Sequence, residues 1–277
     1  VPVNPPLVSL SLSLSLRSLS KGILMTVQTV RFSKANRKLI KLAKDRRSAR
    51  WLRNGRKIYS FSVPAGITCP GASICLGKVV VVDGKRKFVR GPNTEKDCWA
   101  AREELAFTNL FVRNHANYDA LRGKKFDEIL PILRRSLPHD AGIVRVHVSG
   151  DFFSRDYLAA WIALSRENPD RLFYAYTKSL KFLTEFADTL PENFRVTLSA
   201  GGRYDNLIPG LPQFPVAVIV NHPSEAKELG LRIDSDDSSA CHGSKSFALL
   251  LHGVQTAGAA AAAALIRLRK EGISNKY

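Results

Sequence analysis

The chain has 277 residues and is 45% hydrophobic, which is enough for one large or two modest domains with a buried core and excludes a disordered chain. Its 42 Lys and Arg against 24 Asp and Glu give a formal net charge of +18, a balance that points to a polyanionic partner, DNA or RNA, the alternative being a merely solvated basic surface. Four cysteines are too few and too unevenly spaced for a secreted disulfide scaffold, and no apolar run approaches the roughly 20 residues of a membrane-spanning helix, so the expectation is a cytoplasmic protein with reduced thiols and no membrane partner.

Residues 1–24 alternate Ser and Leu after a Pro-rich start, a low-complexity tract without the continuous apolar core of a signal peptide. Met25, the single methionine, stands where composition becomes ordinary, and translation is expected to begin there. Residues 25–60 form a basic segment: from Arg31 to Lys57 twelve cations face Asp45 alone. Phe32, Ala35, Leu39, Leu42 and Ala43 recur at roughly helical spacing, which predicts an amphipathic helix docking by one face. Arg37, Lys38, Lys41, Arg46, Arg47, Arg50 and Arg53 are the expected nucleic-acid contacts, because such a density of like charge is relieved by phosphates. Trp51 beside Leu52 reads as a packing anchor rather than a base-stacking ring.

Next, two prolines and two glycines surround Cys69 between Pro64 and Cys75, the composition of an irregular loop. Lys78–Val82 and Lys85–Arg90 flank Asp83-Gly84, a type I′ hairpin signal, so the chain runs out and back and returns Cys98 toward Cys75. Three thiols around one loop suit a metal site with an open position. An iron–sulfur cluster on Cys69, Cys75 and Cys98 is one reading; zinc with His115 or Cys241 as fourth ligand is a second; ordinary buried thiols are the third.

From Ile143 the pattern becomes βα: strands at Ile143–Val148, Leu172–Tyr176, Phe194–Leu198 and Val216–Val220, with helices capped by Ser154, over Ser179–Leu190 and from Pro223. This predicts an α/β fold, a partial (β/α) barrel or an open parallel sheet, with a cysteine-bearing loop and hairpin before it; residues 61–258 form the expected single domain and 259–277 a closing helix and tail. Ligands in such folds meet the carboxyl ends of the strands, where Asp151 and Lys178 are the catalytic candidates, pairing with ligand groups or with each other. Ser149, Gly150, Ser199, Gly201 and Arg203 are the cofactor-binding candidates. Asp234, Asp236 and Asp237 read as a turn with one functional acid, because no calcium-loop pattern surrounds them.

The segments FSVPAGITCPGASIC, CWAAREE, VRVHVSGDFFSRDYLAAW, FYAYTKS, VTLSAGGRYD and FALLLHGVQTAG, in this order from about Phe61 to about Gly258, resemble a family found chiefly in phages and mobile elements and named only as gene product eighty-eight. The resemblance implies a bacterial host cell and carries no activity with it. In layout the chain is also loosely similar to radical S-adenosylmethionine enzymes, with Ser149-Gly150-Asp151 in a place comparable to their loop after an early strand, although their tight cysteine spacing is absent. That similarity implies S-adenosylmethionine as a further cofactor.

Overall fold

The computed structural model describes residues 28–92 and 94–275; the tract 1–24 and Met25 lie outside the described residues. A short strand β1 (Ser33–Lys34) leads into α1 (Arg37–Leu42), two 3-10 turns (Arg46–Ser48 and Arg53–Gly55) and β2 (Lys57–Phe61). The hairpin of β3 (Gly77–Val82) and β4 (Lys85–Arg90) follows, then α2 (Trp99–Ala106), α3 (Thr108–Leu121) and α4 (Phe126–Ser136). Beyond these come β5 (Ala141–Val146), α5 (Arg155–Arg166), β6 (Leu172–Thr177), α6 (Leu180–Leu183), β7 (Phe194–Ser199), β8 (Val216–Val220), α7 (Pro223–Glu228), α8 (Ser238–His242), β9 (Phe247–Leu250) and α9 (Ala260–Lys270).

The main sheet runs β1-β2-β5-β6-β7-β8-β9. From β2 to β9 every neighbouring pair is parallel, and β1 closes one edge antiparallel. The sheet is open rather than a closed barrel. Because spatial order follows chain order, each new strand adds at the same edge and no strand-order reversal creates a central crevice; the ligand-binding positions are therefore the carboxyl ends of the row. β3 and β4 stand apart as the expected hairpin, with Val82 paired to Lys85 across Asp83 (φ 53°) and Gly84 (φ 71°).

Strand alternation sorts the core. Val144, Val146, Phe173, Ala175, Val196 and Leu198 face a cluster built with α4 and α5, in which the Trp161 ring lies 5.3 Å from that of Phe61. Ile143 and Tyr174 face the other way, onto Leu39 and Leu42 of α1 and Ala240 and Cys241 of α8. β5 is buried along its whole length, as a parallel strand covered on both faces must be. At the head of α5, Ser154 Oγ accepts from the Tyr157 amide at 3.2 Å. Ser154→Ala is expected to cost about 1 kcal/mol, read as a lower urea midpoint with an unchanged slope.

Three expectations are corrected here. The boundary drawn at residue 60 falls inside β2, whose residues Ile58–Phe61 pair with Ile143–Val146, so the basic segment is the first edge of the sheet and only α1 and two short turns of it are helical. The helix expected over Ser179–Leu190 stops at Leu183 and resumes only as a 3-10 turn at Ala187–Thr189. The closing helix is no separate unit: Leu265 and Leu268 pack with Val220, Leu250 and Leu251.

Candidate functional site

The cysteine loop is the connection that leaves the carboxyl end of β2, and it folds back over the ends of β6 and β7. Ala72 bridges Gly202, the Arg203 amide donates to Gly71 O at 2.8 Å, Arg203 Nε to Ala72 O at 2.9 Å, and Ser73 Oγ to Gly201 O at 3.3 Å. A Cβ on Gly71 would stand 1.9 Å from Lys178 O, so only glycine permits this approach. Closure of the hairpin then delivers Cys98. The amides of Glu95 and Lys96 both donate to Ile74 O, next to Cys75, and Asp97, held by Arg102, Thr256 and Gln255, sets Cys98 at the head of α2.

The three cysteines are half-buried as residues. Burial pushes the Cys69 thiol well up, helped by Asp151, Cys98 and Cys75. Burial likewise lifts Cys98 to about 12, with Cys75 the next cause and Glu104 a further one. Each of these two sulfurs thus senses other members of the trio, and the site also senses Asp151 beneath it. Among the described residues, no three His, Cys, Asp or Glu side chains are disposed about a single metal-ion position.

The polar strand ends behave differently from one another. Asp151 is buried and accepts from Thr177 Oγ1 at 2.6 Å and from the amides of Phe152 and Lys178 at 2.7 and 2.8 Å; burial nevertheless pushes its pKa up. The Lys178 ammonium does not hydrogen-bond to Asp151. It donates to Ser199 Oγ, Ala200 O and Ser199 O at 2.6, 2.7 and 3.1 Å, stapling β6 to β7. Ser199 and Gly201 therefore lie at the Lys178 staple and under the cysteine loop, and Arg203 anchors that loop. Gly150 takes φ +83° against Val63 and Thr68.

Sequence reasoning missed two residues at this end. Glu104, 1% exposed on α2, accepts through Oε1 from Asn114 Nδ2, Ser149 Oγ and the Ala65 amide at 2.7, 2.8 and 3.2 Å, while Oε2 is buried with no hydrogen-bond partner among the described residues. A carboxylate in a segment otherwise read only for its resemblance gave no signal. His252 follows β9, a strand that was not anticipated, and its ring lies 5.2 Å from Trp99, the residue after Cys98. Burial depresses its pKa to about 4, with Lys38 and Arg145 adding to the effect.

Neither proposed fourth zinc ligand joins the thiols. Cys241 is buried on α8 near Arg47 and Arg195, at the amino ends of the strands. His115 packs on Phe111 at 4.1 Å, and its charge neighbour is Asp119.

On the second sheet face lies a buried polar knot. Asp237 accepts from Arg145 Nη1 at 2.6 Å, Lys38 Nζ at 2.7 Å, Tyr174 Oη at 2.9 Å and Tyr176 Oη at 3.0 Å. Burial raises its pKa, but Arg145 and Lys38 outweigh that and hold it at about 2. Lys38 is thereby removed from the expected nucleic-acid contacts, since its ammonium points inward. Arg37, Lys41, Arg46, Arg47, Arg50 and Arg53 remain exposed.

Residues 30–269 match the family described as Gene product 88. The Gene 88 protein of Mycobacterium phage L5 is 49% identical over 133 residues, covering 43% of this chain and 47% of that protein, so the match spans under half of the relative's length. No solved structure matches the chain. The family match runs through the cysteine loop, the six parallel strands and nearly all of the closing helix, and on it the chain belongs to the Gene product 88 family of phage proteins.

Proposed function

We propose that this phage protein holds an iron–sulfur cluster on Cys69, Cys75 and Cys98 at the carboxyl ends of its parallel strands and acts on or near nucleic acid. What supports the reading is that the glycine-rich loop and the head of α2 bring the three thiols near enough for Cys69 to feel the charges of Cys98, Cys75 and Asp151, and Cys98 that of Cys75, while the Glu95 and Lys96 amides tie the returning chain to Ile74 O beside Cys75. Three protein thiolates leave one iron of a cluster open to a substrate or cofactor. A single tetrahedral zinc, with Zn–S of about 2.3 Å, needs its sulfurs within about 3.8 Å of each other. A cluster places each thiolate on a different iron and so needs its sulfurs farther apart than a single zinc does. S-adenosylmethionine is the cofactor candidate for the open iron, beside Ser149, Gly150 and Gly201.

Anaerobically purified protein is expected to be brown and to contain iron and sulfide, and Cys69→Ala, Cys75→Ala and Cys98→Ala are each expected to lose both. A folded protein that takes up no metal after reconstitution with iron and sulfide would end the cluster reading. Stoichiometric zinc without iron would support the alternative, a non-catalytic accessory protein whose loop is stabilised by zinc.

A further inference from the structure

Two open concavities lie side by side at the amino-terminal edge of the sheet, away from the thiols. One, of ≈300 Å³, is lined by Arg46, Arg47, Arg50, Arg195 and His242, with Leu172 and Cys241 at its floor. Its neighbour, of ≈360 Å³, is lined by Arg50, Trp51, Arg53, Arg56, Asn54 and Asp170. Arg50 belongs to both, and its guanidinium lies 4.5 Å from the Trp51 ring centroid. Two carboxylates answer this group: Asp45 pairs with Arg47 and Asp170 with Arg56. Arg46, Arg50, Arg53 and Arg195 have no ion pair among the described residues. Arg195 comes from β7, far along the chain, so the patch is assembled by the fold.

We propose that these paired concavities form a phosphodiester-binding groove, in which Arg46, Arg50, Arg53 and Arg195 contact consecutive backbone phosphates of one nucleic-acid strand. Six arginines line the two hollows against one carboxylate, Asp170, and the planar fork of arginine matches phosphate oxygens two at a time. Two adjoining hollows sharing one guanidinium suit a chain of phosphates better than one isolated anion. Arg37 and Lys41 on α1 are exposed and extend the basic surface beyond the hollows. No base-reading side chain is required, so binding is sequence-independent. The inference rests on the nucleic-acid part of the reading above and not on the cluster.

The test is fluorescence anisotropy of the full chain with a labelled single-stranded oligonucleotide and its duplex, across a salt series. Four phosphate contacts predict a slope of log affinity against log salt of about −2.8 for the single strand and about −3.6 for the duplex. Arg50→Ala and Arg195→Ala are each expected to lower that slope by about one unit on every sequence tried. Lys85→Ala and Lys87→Ala, on the hairpin, should leave it unchanged. If wild type binds but the two arginine variants keep its slope, the groove is not the contact and this inference fails while the nucleic-acid reading stands. Displacement of the oligonucleotide by inorganic phosphate, beyond the effect of chloride at equal ionic strength, would make the hollows a small-anion site and also overturn it. No binding by wild type removes both.

Discussion

Asp237→Asn is expected to destabilise the protein by about 3–5 kcal/mol, the usual result when one partner of a buried ion cluster is removed. Asparagine tolerates the left-handed backbone at this position (φ 65°), so the substitution isolates the charge. What remains is Arg145 and Lys38 beside a neutral amide, with Asp234 as the nearby carboxylate, and two tyrosine hydroxyls sharing one amide oxygen in place of two carboxylate oxygens. Loss on this scale consumes much of a typical domain's 5–15 kcal/mol or so. Adding Lys38→Met should recover part of it, because one of the two cations that paired with Asp237 is gone. A urea series on the single and double variants measures both effects; equal midpoints for the single variant and wild type would show that the knot contributes little.

The same knot sets an acid limb. The folded pKa of Asp237 is held at about 2, below its usual 3.8. Its contribution is therefore complete above pH ~4 and disappears as pH falls through the folded value. The stability gap between wild type and Asp237→Asn should narrow over that window and be flat above it.

Glu104→Ala is the second large effect, at about 3 kcal/mol or more, since three buried donors lose their acceptor together. Those donors belong to the segments that shape the thiol site: Ser149 at the end of β5, Ala65 at the start of the cysteine loop, and Asn114 on α3. Untying α2 from them frees Cys98 at its head, so on the cluster proposal the variant should also lose iron after reconstitution. Glu104→Gln keeps an acceptor and should retain most of the stability. Burial pushes the Glu104 pKa up from its usual 4.5, against the pull of its three hydrogen bonds. A raised carboxylate favours the fold most when protonated, and that contribution is lost as pH rises through the folded value. The Gln variant should therefore gain on wild type as pH rises from the acid side; a gap that is constant with pH would mean that Glu104 titrates as it does in the unfolded chain.

The thiol site and the arginine groove lie at opposite ends of the parallel strands. With six residues at about 3.3 Å each, that separation is about 20 Å. Variants in one should thus be additive with variants in the other.

The elements legible from the residues alone are those whose signal is local. Asp83-Gly84 specified the hairpin, Ser154 the head of α5, and the apolar runs at Ile143, Leu172, Phe194 and Val216 the parallel strands, because turn chemistry, capping and burial on both faces are each written into a few adjacent residues. The return of Cys98 toward Cys75 was legible for the same reason, since a hairpin brings its two ends together whatever its length. Tertiary structure decided the rest, through pairings between distant residues. β2 reads as part of a charge run until β5 hydrogen-bonds to it, and Lys38 reads as a surface cation until Asp237, 199 positions later, turns it inward. Lys178 finds its acceptors on β7 rather than on Asp151, and Arg195 joins a basic patch whose other members end at Arg56. In each case the residue type fixed what bond a side chain must make, and the order of strands fixed which partner was within reach.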